Sequence, residues 1–414
     1  MYEFAVIWDW LSFVVRWLHV ITAITWIGTS FYFIALDLGL RKNPKLPHGL
    51  QGEEWQGHGG GFYHIQKYLV APEQLPQHLT WFKWEAYATW LSGFALLAVI
   101  YYAGADLYLI DPDVLDITPP IAILVSVGSI GLGWLIYDFL CKSSFGAKST
   151  RLMILLYLML IALAWGLTHL FTGRAAFIHL GAITATVMSA NVFLVIIPNQ
   201  KKVVADLIAG VTPDPSLGWQ AKQRSVHNNY LTLPIIFLML SVHYPLAFAT
   251  EFNWAIASLV FLIGVTIRHY YNSKHLRIDK PKWTWVVSIL LFAIIVWLST
   301  FQTLTTTDAD TSKLTPHEKH FAKAAYFQEA RDLIQNRCMM CHAKEPGWNG
   351  LVSPPKGVTF ESDAEIARLA REIYLQAGRT SAMPPPYLVR QGIGLNSQER
   401  ELIVKWYEGA LSTL

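Results

Sequence analysis

Residues 152–168 read LMILLYLMLIALAWGLT, a run of apolar side chains without a single charged residue. A helix needs about 20 mainly apolar residues to cross the hydrocarbon core of a bilayer. Together with its neighbours this run predicts a membrane-spanning helix, and seven further runs resemble it. The eight predicted spans are roughly 10–38, 84–104, 120–140, 151–171, 175–197, 229–249, 254–272 and 284–304.

The composition of the whole chain agrees with a membrane protein. Only 15% of the 414 residues are charged, against about 25% in a typical soluble domain. The net charge of +3 comes without a basic stripe or a nucleic-acid-binding motif, so we expect no nucleic-acid partner. Three cysteines are too few for a disulfide framework. We therefore expect a polytopic all-α bundle whose main partner is the lipid bilayer.

Basic residues concentrate in every second loop between the predicted spans. They are Arg41, Lys42, Lys45, Lys67, Lys142, Lys148, Arg151, Lys201, Lys202, Lys222, Arg224, Lys274, Arg277, Lys280 and Lys282. Because cytoplasmic loops carry the excess of lysine and arginine, these loops are predicted to be cytoplasmic. Both chain termini are then predicted to lie on the side of the membrane away from the cytoplasm.

The two halves of the apolar region resemble each other. The stretch LHVITAITWIGTSFYF from Leu18 aligns with IHLGAITATVMSANVF from Ile178, which pairs His19 with His179. Similar matches follow in the same order along the two halves. They predict two four-helix repeats of the same orientation, about 10–171 and 175–304.

A haem-attachment signature follows the apolar region. Residues 335–346 read QNRCMMCHAKEP, in which Cys338, Cys341 and His342 form a C-x-x-C-H motif. Two thiols at this spacing form thioethers to a haem, and the histidine becomes an iron ligand. We predict a linker at 305–315 and a class I-like cytochrome c domain at 316–414 that carries covalent haem c.

The second iron ligand of this haem has to come from another part of the predicted domain. Met383, in the stretch RTSAMPPPYL, is the methionine best suited, because Met339 and Met340 lie inside the motif itself. A thioether ligand is usual in cytochromes c. If the second ligand is a histidine instead, the alternatives are His317 and His320.

Histidines inside the predicted spans are expensive to bury in lipid, and their default interpretation is therefore functional. His19 and His179 are related by the repeat and lie near the outer ends of their helices. Three roles stay open for this pair: iron ligands of a haem b, hydrogen bonds between helices, or a substrate or metal site.

A polar cluster is predicted at the inner ends of the second and sixth spans. It contains Glu85, Tyr87, His227, Asn228, Asn229 and Tyr230. The loop before the second span adds GHGGGFYHIQKY at 57–68, with His58, His64 and Lys67, and its glycines would let the backbone approach a ligand closely. These groups suit a planar substrate rich in hydrogen-bonding groups. The alternative is helix capping beside a solvated loop.

Four stretches carry a family resemblance over nearly the whole chain. They are HGGGFYHIQKY, HLTWFKWEAY, ANVFLVIIPNQKK and RSVHNNYLTLPIIFLMLSVHYP, followed by the C-x-x-C-H motif. Together they resemble the bacterial membrane-bound urate oxidases (urate hydroxylases of the PuuD type) with a C-terminal cytochrome c domain. The resemblance implies that urate is converted to 5-hydroxyisourate in purine catabolism, with electrons leaving through the cytochrome c domain. We expect haem c to take these electrons and no peroxide to form.

We expect the polar cluster to carry this chemistry. Asn228, Asn229 and Tyr230 would hold the lactam edges of urate, and Glu85 or His64 would act as the base. A soluble or membrane-bound respiratory cytochrome or a terminal oxidase would accept the electrons. The competing interpretations are a quinol:cytochrome c oxidoreductase, a membrane-anchored electron-transfer cytochrome, and a transporter-like binding bundle.

Overall fold

The structure is a computed structural model of the chain. It describes residues 2–43, 46, 49–68, 78–111, 114–277, 280–300, 314, 316–348, 351, 354–380, 382–384 and 392–413. Apart from Leu314, the predicted linker 305–315 lies outside the described residues.

The apolar part of the chain folds into ten helices and one hairpin within the described residues. The elements are α1 Tyr2–Gly39, β1 Leu50–His58, β2 Gly61–Tyr68, α2 Trp84–Leu97, α3 Ala105–Tyr108, α4 Pro119–Lys142, α5 Ser149–Thr168, α6 Gly173–Ala190, α7 Ile197–Ile208, α8 Pro215–Leu240, α9 Asn253–Leu276 and α10 Trp283–Thr300. Two π-helical turns extend α2 over Ala98–Tyr102 and join α6 to α7 over Asn191–Ile196.

Seven helices are long and apolar enough to cross a membrane, counted over the residues that the structure describes. They are Val6–Gly39, Pro119–Lys142, Ser149–Thr168, Gly173–Ile208, Pro215–His243, Asn253–Leu276 and Trp283–Thr300. The all-α membrane bundle is therefore confirmed. The remaining predicted span, 84–104, is helical through α2 and its π turn but is not among these seven.

Helix α8 begins much earlier than the sequence interpretation placed it. The Asp214 side chain accepts a hydrogen bond from Ser216 N at 2.8 Å, and Pro215 occupies the first helical position. Both residues favour a helix start. Lys222 and Arg224, which we assigned to a loop, therefore lie inside α8.

The fold is not purely helical, because residues predicted as a long loop form an antiparallel β-hairpin. Gly59 and Gly60 form its two-residue turn with φ of +60° and +81°, a conformation that glycine adopts without strain. These glycines thus shape a turn, and the close approach of a ligand to their backbone stays a prediction. An ion pair between Lys67 and Asp37 ties the hairpin to α1. We call the end of the bundle at which α1 ends and α8 begins the hairpin end.

The bundle and the C-terminal segment each have their own apolar core. The bundle core includes Phe177, Leu180, Ile183, Leu238 and Ile256, all of which are at most 1% exposed. It lies where α6 packs against α8 and α4, and where α9 packs against α8 and α5. Polar side chains placed in this region are consequently shielded from water.

The C-terminal segment is helical. Its helices are α11 Pro316–Lys323, α12 Phe327–Cys338, α13 Asp363–Arg368, α14 Ala370–Ile373 and α15 Ser397–Ser412. Trp406 of α15 is fully buried, donates from Nε1 to Phe321 O at 3.0 Å and contacts the ring of Phe327. Asn396 caps α15, and its side chain accepts from Glu399 N at 2.9 Å.

The C-terminal segment contacts the bundle at the end opposite the hairpin end. The Tyr108 hydroxyl, which follows the π turn of α2, donates to the Glu372 carboxylate. Val6, near the start of α1, packs against the C-terminal core. The hairpin and the C-terminal segment therefore lie at opposite ends of the bundle.

Candidate functional site

Four consecutive polar residues, His227–Tyr230, lie in the middle of α8. His227, Asn228 and Asn229 are 5%, 6% and 1% exposed. Successive residues of an α-helix are about 100° apart around its axis. Each of these side chains therefore faces a different neighbouring helix, and α8 joins several polar contacts.

His227 and Asn228 belong to one hydrogen-bonded network. Asn228 Nδ2 donates to Met188 O at 3.0 Å, and Asn228 Oδ1 accepts from Asn191 Nδ2 at 3.0 Å. Asn191 Nδ2 also donates to the Tyr137 hydroxyl at 3.0 Å, so that this hydroxyl is free to donate to His227 Nδ1 at 2.8 Å. Both amide atoms of Asn228 are thus used in packing, whereas Asn191 Oδ1 is buried without a partner.

Asn229 faces α9 and forms a triangle with Arg268 and Asn272. Its Oδ1 accepts from Arg268 Nε at 3.3 Å and from Asn272 Nδ2 at 3.0 Å. Arg268 also donates from a terminal nitrogen to Asn272 Oδ1 at 3.1 Å. An arginine can only donate, so this contact fixes the orientation of the Asn229 amide. Asn229 Nδ2 is therefore the atom left buried without a partner.

A buried ion pair lies one turn before the polar run of α8. Arg224, 2% exposed, donates to Asp138 Oδ1 at 2.7 Å, and Lys142 Nζ lies 2.6 Å from Asp138 Oδ2. The guanidinium carbon of Arg224 lies 4.9 Å from the centre of the Tyr137 ring. Its Nε and one terminal nitrogen are buried without a partner. The pair fixes α4 to α8 and leaves spare donors beside Tyr137.

Tyr230 borders an apolar cavity together with Tyr137, His227 and Tyr157, and this cavity has a volume of about 60 Å³. An apolar cavity that admits benzene has about 150 Å³. In this form of the structure the cavity is too small for a bicyclic purine.

The two predicted bases lie on other elements. Glu85 is in the first turn of α2, and its Oε2 is buried without a partner. His64 Nε2 lies 2.6 Å from Glu53 Oε2, and its ring stacks on Trp55 at 4.2 Å. Hydrogen bonds from Asn43 and His64 lower the pKa of Glu53 below its ordinary value. The described contacts hold His64 within the hairpin and do not join it to α8.

Buried side-chain atoms without a hydrogen-bond partner concentrate toward the hairpin end, among the described residues. They are Gln51 Oε1, Glu54 Oε2, Glu85 Oε2, Trp134 Nε1, Asn191 Oδ1, Arg224 Nε and Nη1, and Asn229 Nδ2. Two further atoms, Tyr101 Oη and Arg174 Nε, lie toward the other end. Each such atom costs about 1–3 kcal/mol if it stays unpaired. The set includes donors and acceptors, so a ligand that reached several of these atoms would need both kinds of group.

His19 approaches α2 closely. Its Nδ1 lies 3.1 Å from Thr89 O and 3.2 Å from Ser92 Oγ. A Cβ atom on Gly93 would lie 2.8 Å from Cε1 of this ring, so glycine is needed there for close packing.

His179 is fully buried, and both of its ring nitrogens have partners. Nδ1 donates to Ala175 O at 2.7 Å, and Nε2 therefore accepts from the Ser126 hydroxyl at 2.6 Å. Neither nitrogen is available to iron in this arrangement, and the pair with His19 does not fit a haem b. The contact with Ser126 corresponds to the hydrogen-bonding alternative. Haem b at His19 and His179 stays an untested prediction, and no step below depends on it.

The C-x-x-C-H motif lies at the end of α12 and in the turn that follows. Cys341 N and His342 N both donate to Cys338 O, at 3.1 and 2.9 Å. His342 Nδ1 donates to Val358 O at 3.0 Å, which fixes the ring and leaves Nε2 as the nitrogen that can bind iron. These residues fit a covalently attached haem c.

The candidates for the second iron ligand differ in their surroundings. Met383 is 38% exposed, and its backbone N donates to Gln376 O at 2.9 Å. His320 uses Nε2 on Ala410 O at 2.7 Å. The side chain of His317 lies outside what the structure describes. Met383 thus remains the predicted ligand.

Several residues of the site were missed by sequence reasoning. Asp138 and Arg268 lie inside predicted spans, where a charged side chain is a functional signal by default. We applied that signal only to histidines. Asn191 is a neutral amide in an apolar run, and only the π turn that it begins marks it as unusual.

A comparison with protein families gives one match. Residues 5–299 match the family described as Urate oxidase N-terminal. No curated protein and no solved structure matches the chain significantly. The matched range takes in most of α1 and all of α2 to α9, includes the hairpin and ends before the C-x-x-C-H motif. Because it covers more than half of the 414 residues, the chain belongs to the urate oxidase N-terminal family.

Proposed function

We propose that this protein is a membrane urate oxidase that binds urate toward the hairpin end and releases electrons through a C-terminal haem c. Family membership supports a urate-related oxidoreductase activity. The observation that carries the proposal is the group of buried donors and acceptors without partners toward the hairpin end. Urate is planar and presents lactam N–H donors beside carbonyl acceptors, so it matches this mixed set.

The reaction converts urate and water into 5-hydroxyisourate, two protons and two electrons. Glu85 is suited to accept a proton from a urate N–H, because its Oε2 is buried without a protein partner. Asn229 offers a free donor in Nδ2, whereas Asn228 uses both amide atoms in packing. Asn228 therefore supports the site through the Asn191–Tyr137 network, and Asn229 contacts the substrate. Water then adds at C5 of the oxidised ring.

The electrons leave at the opposite end of the molecule. Bound to Cys338, Cys341 and His342, haem c would supply a one-electron acceptor. Met340, inside the C-x-x-C-H motif, is 43% exposed and gives an apolar surface beside the haem site. A soluble or membrane-bound respiratory cytochrome or a terminal oxidase would dock there. From the basic loops we place the hairpin end in the cytoplasm and the haem segment in the periplasm of a bacterial inner membrane.

Anaerobic turnover tests this proposal. The full chain with its haem, purified in detergent, should consume urate and reduce two equivalents of added cytochrome c per urate, without peroxide. Peroxide formed in step with urate loss and dependent on oxygen would contradict it. Reduction by a quinol with no response to urate would select a quinol:cytochrome c oxidoreductase instead.

The electron exit can be tested separately from urate binding. The variant Cys338→Ser with Cys341→Ser should lose covalent haem and turnover while still binding urate, because both residues lie outside the bundle. Loss of urate binding in a well-folded variant would contradict the separation of the two sites.

A further inference from the structure

Arg268 is a buried cation without a carboxylate partner among the residues that the structure describes. Its side chain is 6% exposed and lies on α9, within a candidate membrane span. Arg224 is similarly buried, but it has Asp138 at 2.7 Å. Burying an unpaired charge is costly, and the cost falls when an anion binds beside it. The charge of Arg268 is therefore left without a carboxylate partner among the described residues, whereas the charge of Arg224 is compensated by Asp138.

The side chains that hold Arg268 leave one donor unused. Both hydrogen bonds that Asn229 Oδ1 accepts come from within the triangle, from Arg268 and from Asn272. Asn272 Oδ1 is engaged by Arg268 as well. By contrast, Asn229 Nδ2 is buried without any partner. An anionic hydrogen-bond acceptor would compensate the charge of Arg268 and would also accept a hydrogen bond from Asn229 Nδ2.

The side chains around Arg268 restrict the shape of the anion that can bind there. The guanidinium carbon of Arg268 lies 4.1 Å from the centre of the Phe31 ring, so one face of the guanidinium is covered. A ligand that approaches the edge of the guanidinium meets N–H groups that point outward in one plane. Planar anions with neighbouring acceptor atoms fit this edge best.

We propose that Arg268 and Asn229 bind the urate monoanion, and that Arg268 selects it over neutral purines. This inference rests on the proposed function. Urate has lost one lactam proton near neutral pH, and its negative charge is spread over oxygen and nitrogen atoms at the ring edge. Those atoms accept from the free edge of Arg268 and from Asn229 Nδ2, while Asn272 is a positioning residue that holds both.

Asn229→Asp is the sharpest variant. The new carboxylate keeps an oxygen that accepts from Arg268 and Asn272, but it removes the free N–H and neutralises the arginine. Urate affinity should fall about tenfold to a hundredfold, the range for losing a charge-assisted hydrogen bond. If Asn229 has only a structural role, the urate affinity should not fall, because the new ion pair would preserve the triangle with Arg268 and Asn272. Arg268→Gln should weaken urate binding to a similar degree.

Equilibrium dialysis on the full chain with its haem, in detergent and without an electron acceptor, measures binding apart from turnover. Urate and hypoxanthine, a neutral purine, are the probes. Both variants should lose urate affinity and keep the affinity for hypoxanthine. Arg151→Gln is the control, since Arg151 is an exposed arginine at the start of α5. The haem spectrum and the thermal midpoint report folding.

The outcomes separate this inference from the proposed function. If both folded variants bind urate as the wild type does, the inference is wrong and the function stands. If the wild type binds urate without oxidising it and both variants lose binding, the function is wrong and the inference stands. If the wild type binds no urate, both are wrong.

Discussion

Two buried polar networks of the bundle differ in how completely their members are paired. The chain of hydrogen bonds that runs through His179 itself is closed: Tyr102 donates to Ser126, Ser126 to His179, and His179 to Ala175 O. Around α8 the contacts leave Asn191 Oδ1 and Asn229 Nδ2 without partners. In a closed network, the internal hydrogen bonds offset the free-energy cost of burying polar groups. An open one keeps that cost until a ligand binds, which makes it the better candidate for a substrate site.

The largest effect is expected for Glu85→Gln. If the open network is catalytic, losing the base should lower the rate of urate oxidation by about a hundredfold to ten-thousandfold. Folding should be unaffected, because Oε2 makes no hydrogen bond that the amide would lose. Steady-state urate consumption measures the effect, and the haem spectrum is the control. A variant with the wild-type rate would remove Glu85 from the mechanism.

The next largest effect is on stability. Asp138→Ala leaves Arg224 buried without its carboxylate and should cost about 3–5 kcal/mol of unfolding free energy. Lys142→Ala is the matched control, because Lys142 pairs with the same carboxylate but its side chain is 65% exposed. It should cost less than about 1 kcal/mol. Chemical denaturation in detergent measures both, and equal losses would contradict the structural role of the buried pair.

A smaller effect is expected in the closed network. Ser126→Ala leaves His179 Nε2 and the Tyr102 hydroxyl without their partner, at about 1–3 kcal/mol of stability. Urate turnover per folded molecule should not change, which separates this network from the one around α8. Haem content should also stay constant. Loss of a non-covalent haem from His179→Phe would support the predicted haem b instead.

The smallest effect concerns the hairpin. The pKa of Glu53 is lowered by Asn43 and His64, so the folded hairpin prefers the ionised carboxylate. Its contribution to hairpin stability is present above the ordinary glutamate pKa of 4.5 and is lost as the pH falls through the lowered value. The fluorescence difference between wild type and Trp55→Phe reports it, because Trp55 stacks on His64. Glu53→Gln should abolish the pH response, and a persistent response would assign it to another group.

The sequence predicts the helices best where a single physical requirement determines the choice of residues. Apolar length predicts α4, α5, α9 and α10 well, since a bilayer requires it. The start of α8 was missed because Asp214 and Pro215 begin the helix within a polar stretch. The hairpin was missed because its glycine pair, flanked by His58 and Gly61, was interpreted as a ligand loop and not as a two-residue turn.

The site itself could be predicted only in part. The run His227–Tyr230 is recognisable as polar residues within a membrane bundle, but the sequence does not give the neighbour of each side chain. That depends on how α8 is rotated against α4, α6 and α9. Whether a polar atom is satisfied is decided by these contacts, as the difference between Asn228 and Asn229 illustrates. Residue type alone treats the two amides as equivalent.

Pro234 lies inside α8 and contacts Gly264 of α9, where a Cβ atom would be 2.4 Å from the proline ring. Proline has no N–H group, so the carbonyl of Tyr230, four residues earlier, has no helical donor at position 234. A helix that lacks one such bond is easier to bend at that turn. Tyr230 borders the cavity, so bending of α8 at this turn would move one wall of that cavity.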